Sequence, residues 1–237
     1  MSPEPAPLLR TTQDKERGAA LALLPIAATL DYYALPQPWQ NQTFVQFAPQ
    51  IMGYLALALW ATHNHPIIPR LGLSRASLRP GIKPGLCTGI ALGAFNSLVI
   101  LVIVPSLGYD ISFLKDTPHA QVPVLVMVPW FIVVIACFVE INFRGFVLQR
   151  LARLESSLWK SEPLRRLSPF AVAISSLVFA FDPFMVSTFQ YLHWIAVWDG
   201  IVWGVIVMRT GNLWTAIIAH AVEVIVMYSV VRAALTI

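Results

Sequence analysis

Charge is what this sequence lacks most. Only 12% of its 237 residues are Asp, Glu, Lys or Arg, while 57% are hydrophobic. A soluble domain carries about 25% charged residues, so this few cannot cover a surface that faces water. The mean hydropathy of +0.68 agrees. Cysteine is nearly absent as well. Cys87 and Cys137 both lie inside apolar segments, which excludes a disulfide framework and reads as two small core residues. No Gly-rich phosphate loop, Gly-x-Ser-x-Gly elbow or His-Glu-x-x-His helix occurs, so those three chemistries have no motif to rest on. There is no internal repeat. No short apolar region followed by a small-residue cleavage site opens the chain, so the first apolar segment is expected to stay as an anchor.

What is present is a series of apolar stretches, each near the roughly 20 residues that cross a bilayer. The expected fold is an all-α, polytopic transmembrane helical bundle. Spans are expected over 18–35, 46–62, 84–106, 122–139, 168–186, 190–208 and 213–235. The fourth pattern continues past Arg144 to Leu154, too long for one crossing, so Val147 to Leu154 is expected to emerge at the interface. An eighth short span would fall within 106–121. Residues 1–17 read as a polar, Pro-rich tail, 63–82 as a basic loop or interfacial piece, and 18–237 as one membrane domain.

The net charge of +4 does not point to nucleic acid, because the basic residues flank apolar spans rather than forming a patch. Arg10, Lys15 and Arg17 precede the first span. Arg70, Arg75, Arg79 and Lys83 separate the second and third. Arg150, Arg153, Lys160, Arg165 and Arg166 separate the fourth and fifth, and Arg209 the last two. With seven spans all these groups fall on one side, which predicts a cytoplasmic N-terminus. The expected surroundings are membrane lipids, with a membrane peptide or a membrane protein as partner.

Ionisable groups inside a membrane cost about 2.5–3.5 kcal/mol each on insertion scales and are functional candidates by default. Glu140 and Arg144 are four residues apart and share a helix face. They read either as a stabilising ion pair or as part of a site. His220 and Glu223 share a face of the last span. Asp182, before Pro183, is either a helix cap or a site residue. Asp199 lies mid-span and is costly unless paired, and Asn96 lies inside the third span. His193 lies nearer the outer face and reads as hydrated. His63 and His65 lack the further ligands that a metal site needs, so no metal is expected.

The run Glu140-Ile141-Asn142-Phe143-Arg144-Gly145-Phe146, followed by Thr210-Gly211-Asn212-Leu213-Trp214 and then His220, resembles the CPBP family. These are the type II CAAX prenyl protease and bacteriocin-processing (Abi) intramembrane proteases. The likeness covers about 120–235 and implies glutamate-dependent hydrolysis of a peptide bond inside the membrane, with no cofactor. It implies that a Glu and a His activate water, which requires hydrogen-bond reach. A later His and Asn would meet the developing oxyanion. The family's Glu-Glu-x-x-x-Arg has Val139 in place of its first Glu. Its Phe-x-x-x-His, counted from Phe179, has Pro183 in place of the His; placing Asp182 there makes Val178 the Phe. Its His-x-x-x-Asn keeps His220 and has Val224 in place of the Asn, with Glu223 one residue earlier.

The candidate set is therefore Glu140, Arg144 and His220, with Asp182 and Glu223 in support. Three readings follow: a protease of weak or variant activity, a pseudo-protease acting as scaffold or subunit of a membrane complex, and a pigment or cofactor subunit using His193 or His220 as axial ligand.

Overall fold

The computed structural model describes residues 16–159 and 167–235. The polar tail up to residue 15, and Lys160, Arg165 and Arg166 of the basic cluster, lie outside the described residues. Regular structure among the described residues is helical throughout. α1 (Leu23–Ala34) is entered through a 3-10 turn, Ala19–Ala22. α2 is Ala48–His63. α3 is Arg75–Leu98, prolonged by wide π turns over Val99–Ile103 and a last turn, Val104–Ser106. α4 starts at Val124–Val126 and widens over Met127–Val134. It tightens over Ile135–Glu140, widens again over Ile141–Leu148 and ends in Gln149–Trp159. α5 (Pro169–Ala180), α6 (Pro183–Phe189), α7 (Ile195–Thr210) and α8 (Leu213–Ala234) complete the chain.

Among the described residues, four helical stretches are long and apolar enough to cross a membrane: Ile67–Ser106, Val124–Leu158, Pro183–Thr210 and Leu213–Ala234. Ala19–Ala34 and Pro169–Ala180 are shorter apolar helices. Their outward faces carry large apolar side chains, among them Ile90, Phe95, Leu125, Trp130 and Phe138. Such surfaces match lipid and not water. The fold is thus an all-α membrane bundle.

The stretch 63–82, expected as a loop or interfacial piece, is largely helical: α3 begins at Arg75 and carries Pro80 and Pro84 within it. Tertiary packing explains why local signals fail here. Gly81, Gly85, Gly89 and Gly93 recur every fourth residue and form one face of α3 against α8. A Cβ at Gly89 would stand 2.6 Å from the Ala219 carbonyl oxygen, and one at Gly93 would stand 2.9 Å from that of Glu223. Backbone meets backbone along this seam, and small residues are what permit that approach in membranes. Cys87 lies two residues past Gly85, on the opposite face, and is exposed rather than in the core.

Turns fix the remaining joints. Gly211, at φ 63°, ends α7, and the Asn212 side chain caps α8 by accepting from the Trp214 N–H at 3.1 Å. Gly72, at φ 78°, lets the 71–73 turn dock there, and its carbonyl accepts from the Leu213 N–H at 3.0 Å. The expected span 168–186 breaks at Pro183, which cannot donate to a continuing helix. Val147, Leu148 and Leu151, in the last part of α4, are buried against neighbouring helices.

The segment before α1 is pinned by charge. Glu16 accepts from Arg150 Nε at 2.6 Å, Arg153 Nε at 3.0 Å and Trp60 Nε1 at 2.9 Å. Arg150 also lies 4.0 Å from the centroid of the Trp60 ring. Asn64, buried between His63 and His65, accepts from the Arg17 N–H and donates to the Arg17 carbonyl, both at 2.9 Å.

Two outcomes follow from this packing. Gly89→Ala should lower folded yield and melting temperature, by about 1–3 kcal/mol of overpacking, whereas exposed Ile90→Ala should change neither. Thermal denaturation of both variants in detergent measures this, and equal effects would disprove the seam. The second outcome concerns Glu16. Burial by itself would raise its carboxyl, but the hydrogen bond and charge of Arg150, with Arg153 and Trp60, override burial and hold it below its ordinary 4.5. A carboxyl lowered by folding contributes stability above its unfolded value and loses it as pH falls through its folded value. Wild type should therefore lose more melting temperature than Glu16→Gln as pH is lowered from 4.5. Parallel pH curves would show that the arginines do not depend on this charge.

Candidate functional site

The polar residues expected inside the membrane come together around the middle of α4, α7 and α8. Glu140 closes the tight segment of α4, and the wide turn after it carries Arg144. Wide turns of this kind recur at functional sites because they re-aim side chains within a helix. Arg144 Nη1 donates to Glu140 Oε1 at 3.1 Å, and both residues are fully buried. The guanidinium lies 4.4 Å from the centroid of Phe179 and 5.1 Å from that of Trp203, so aromatic faces from α5 and α7 supply part of its solvation. Gly200 makes room for it: a Cβ there would stand 2.9 Å from Arg144 Nη2.

His220 reaches the same carboxylate from α8. Its Nδ1 is 2.9 Å from Glu140 Oε1. With Glu140 ionised, the imidazole is the tautomer that carries its proton on Nδ1 and donates it, leaving Nε2 as an acceptor. The ring is stacked on Trp203, with centroids 4.3 Å apart and planes 19° apart. The expected trio Glu140, Arg144 and His220 is thus one hydrogen-bonded unit.

A second polar unit lies on the far side of His220 along α8. Asn96 of α3 donates both amide hydrogens, to Asp199 Oδ2 at 2.9 Å and to Glu223 Oε1 at 2.8 Å. Its own oxygen accepts from Trp198 Nε1 at 2.9 Å, which fixes the amide with nitrogen toward the two carboxyls. Asp199 and Glu223 are both buried. Sequence reasoning singled out Asp199 and Glu223 as costly groups and placed Asn96 inside the third span. It did not join them, because their partnership spans 103 and 127 residues of chain. The four-residue glycine spacing in α3 was the signal that would have placed Asn96 against α8.

Both units border one cavity of about 510 Å³. Asp182, Asp199, His220 and Glu223 line it, together with Trp203 and Phe179; Glu140 is not among its lining residues. Asp182 is a cap: its Oδ1 accepts from the backbone N–H of Phe184 at 3.1 Å and of Met185 at 3.4 Å, and from Gln50 Nε2 at 2.9 Å. Val139 and Val224 also line the cavity. His193 stands apart, with Nδ1 against the Gln190 carbonyl, and His63 bonds to Thr62.

Comparison with known proteins gives one family match. Residues 121–226 match the family model described as Type II CAAX prenyl endopeptidase Rce1-like. The matched segment runs from the turn before α4 into α8 and contains Glu140, Arg144, Asp182, His220 and Glu223. Neither a curated protein nor a solved structure matches the chain. The molecule is an integral membrane protein with a segment similar to the type II CAAX prenyl endopeptidases, as the Glu-x-x-x-Arg-Gly and Thr-Gly-Asn-Leu-Trp…His elements implied.

The ion pair carries its own consequence. Removing one member of a buried pair leaves the other uncompensated, at about 3–5 kcal/mol. Glu140→Ala and Arg144→Ala should each reduce folded yield strongly, and the double substitution to an apolar pair, Glu140→Leu with Arg144→Met, should recover most of it. Size-exclusion yield in detergent reads this, and single variants that match wild type would refute the pairing.

Proposed function

We propose that this protein takes an apolar membrane peptide into the cavity between α4, α7 and α8, and does not hydrolyse it by the family's glutamate–histidine route. One observation carries the reading. Val139 and Val224 stand where the family has its first Glu and its Asn, and both line the cavity. The retained Glu140 does not line it and is engaged by Arg144 and His220. A valine neither takes a proton from water nor donates to an oxyanion. A general base must come within about 2.6–3.2 Å of the proton it removes, and loss of one oxyanion donor lowers kcat about 10²–10³-fold. Pro183, or Asp182 spent as a cap, at the family's other histidine position supports the same conclusion. The chain then acts as a binding subunit or scaffold within one membrane domain, its N-terminus cytoplasmic as the distribution of Lys and Arg implies.

A second reading has one observation in its favour. His220 lines the cavity and is hydrogen-bonded to Glu140 at 2.9 Å. Glu140 and His220 would then act as a relay in which Nε2 removes the water proton, with Asp182 or Glu223 assisting, giving a slow variant protease.

Purified protein in lipid nanodiscs, titrated with a fluorescent spanning peptide, separates the two. The first reading expects saturable binding, weakened about ten-fold, or about 1.4 kcal/mol, when Val139→Trp fills the cavity, and no cleavage product. Cleavage by wild type would overturn the binding-only reading, and its disappearance in folded Glu140→Gln and His220→Gln proteins would establish the relay.

A further inference from the structure

The buried charges of this bundle do not balance. Glu140, Asp199 and Glu223 are carboxyls buried among α3, α4, α7 and α8, and Arg144 is the guanidinium that meets them. Arg144 bonds to Glu140, and both hydrogens of the Asn96 amide are spent on Asp199 and Glu223. Asp199 Oδ1 is buried without a hydrogen-bond partner, and Asp199 lines the cavity. Two carboxyls that accept from one amide nitrogen, at 2.9 and 2.8 Å, are held close enough to repel when both are ionised. Arg144 acts on Asp199, and His220 on Glu223, only through space; what the pair lacks is a positive group that donates to it from the cavity side.

We propose that Asp199 and Glu223 form a binding site for an alkylammonium group, whose apolar chain lies in the cavity. This inference rests on the cavity being a binding site, as argued above, and adds what the ligand's polar end must be. A primary ammonium offers three donors and one charge. It can give one N–H to Asp199 Oδ1 and another to the Glu223 carboxylate while neutralising one of the pair. A bare metal ion is a poorer occupant, because among the described residues no group of three or more His, Cys, Asp or Glu side chains is placed to hold one. The rest of the lining suits a chain: Ile132, Val139, Ile195 and Met227 are apolar. Arg232, which also lines the cavity, is nine residues beyond Glu223 on α8, roughly 13 Å along the axis, and donates to the Ala120 carbonyl at 3.1 Å. It is too far to neutralise the pair and keeps cations at the carboxyl end. Such an ammonium belongs either to a lipid amine or to a lysine of a membrane peptide, and the pair recognises both alike.

The test uses the full chain in nanodiscs of neutral lipid, with decylamine and decanol as probes and binding read by equilibrium dialysis of the radiolabelled compounds. A second arm compares two leucine-rich spanning peptides that differ only by one central lysine. Decylamine should bind wild type at least ten-fold more tightly than it binds Asp199→Asn/Glu223→Gln, while decanol should bind both proteins equally. A lysine preference in the peptide arm that the double substitution abolishes would assign the site to a peptide. Its absence, with the decylamine preference intact, would assign it to a lipid amine. Should the double variant fail to fold, Asp199→Asn alone keeps the amide contact of Asn96 and is read in the same way. Equal binding of decylamine to wild type and variant would overturn the inference while decanol binding left the cavity reading standing. No binding of either probe would overturn both.

Discussion

Everything in the site depends on the Glu140 carboxylate being shared by two helices. Arg144 holds it from one turn along α4, and His220 holds it from α8. In hydrocarbon such a charge survives only with its partners in place. The pair therefore acts as a constraint on packing: α4 and α8 must meet at this depth, and α5 and α7 must bring Phe179 and Trp203 over the guanidinium. The same constraint takes the glutamate out of the cavity. Both contacts go to Oε1, and Oε2 is buried without a hydrogen-bond partner, so the carboxylate is tied down by its neighbours through one oxygen.

The glycine seam does for α3 what the ion pair does for α4. Lipid provides no hydrophobic force between helices, so close approach and interhelical hydrogen bonds have to hold them. Gly81 to Gly93 bring the α3 backbone onto α8, and Asn96, three residues past the last glycine, is then delivered to Glu223 and Asp199. An asparagine in a span is otherwise a liability. Here its amide is fully used, with Trp198 on its oxygen and two carboxyls on its nitrogen. Seam and network are interdependent: without the glycines the amide does not reach, and without the amide two carboxyls face each other bare.

Legibility in the sequence followed the range of the interaction. Apolar run length gave the helices of 18–35, 46–62 and 213–235 nearly to the residue, because span length is a local property. Four-residue spacing paired Glu140 with Arg144, and the Asp-Pro step anticipated the cap at Asp182. The start of α3 was misread because Pro80, Pro84 and the basic residues around them signal a loop locally, while the force that keeps them helical is a neighbour more than 120 residues away. Asn96, Asp199 and Glu223 were each visible as out-of-place polar groups, yet nothing local says which will face which. Glu16 was passed over inside a tail whose composition spoke for solvent, since its three arginine partners lie far along the chain.

The two polar units differ in how their buried charges are met. In the Glu140 unit charge is matched by charge, through Arg144 Nη1 and Glu140 Oε1, although Glu140 Oε2 and Arg144 Nη2 have no hydrogen-bond partner. In the Asp199–Glu223 unit, an amide is shared between two acids and one oxygen is left without a donor. A neutral amide cannot cancel either charge, so this unit is complete only when a proton or a cation joins it. Val139 and Val224 line the cavity, and an apolar lining strengthens the electrostatic interactions inside it. On the reading proposed above, the apolar lining and an acid pair short of a donor act in the same direction: both favour holding a ligand over cleaving it.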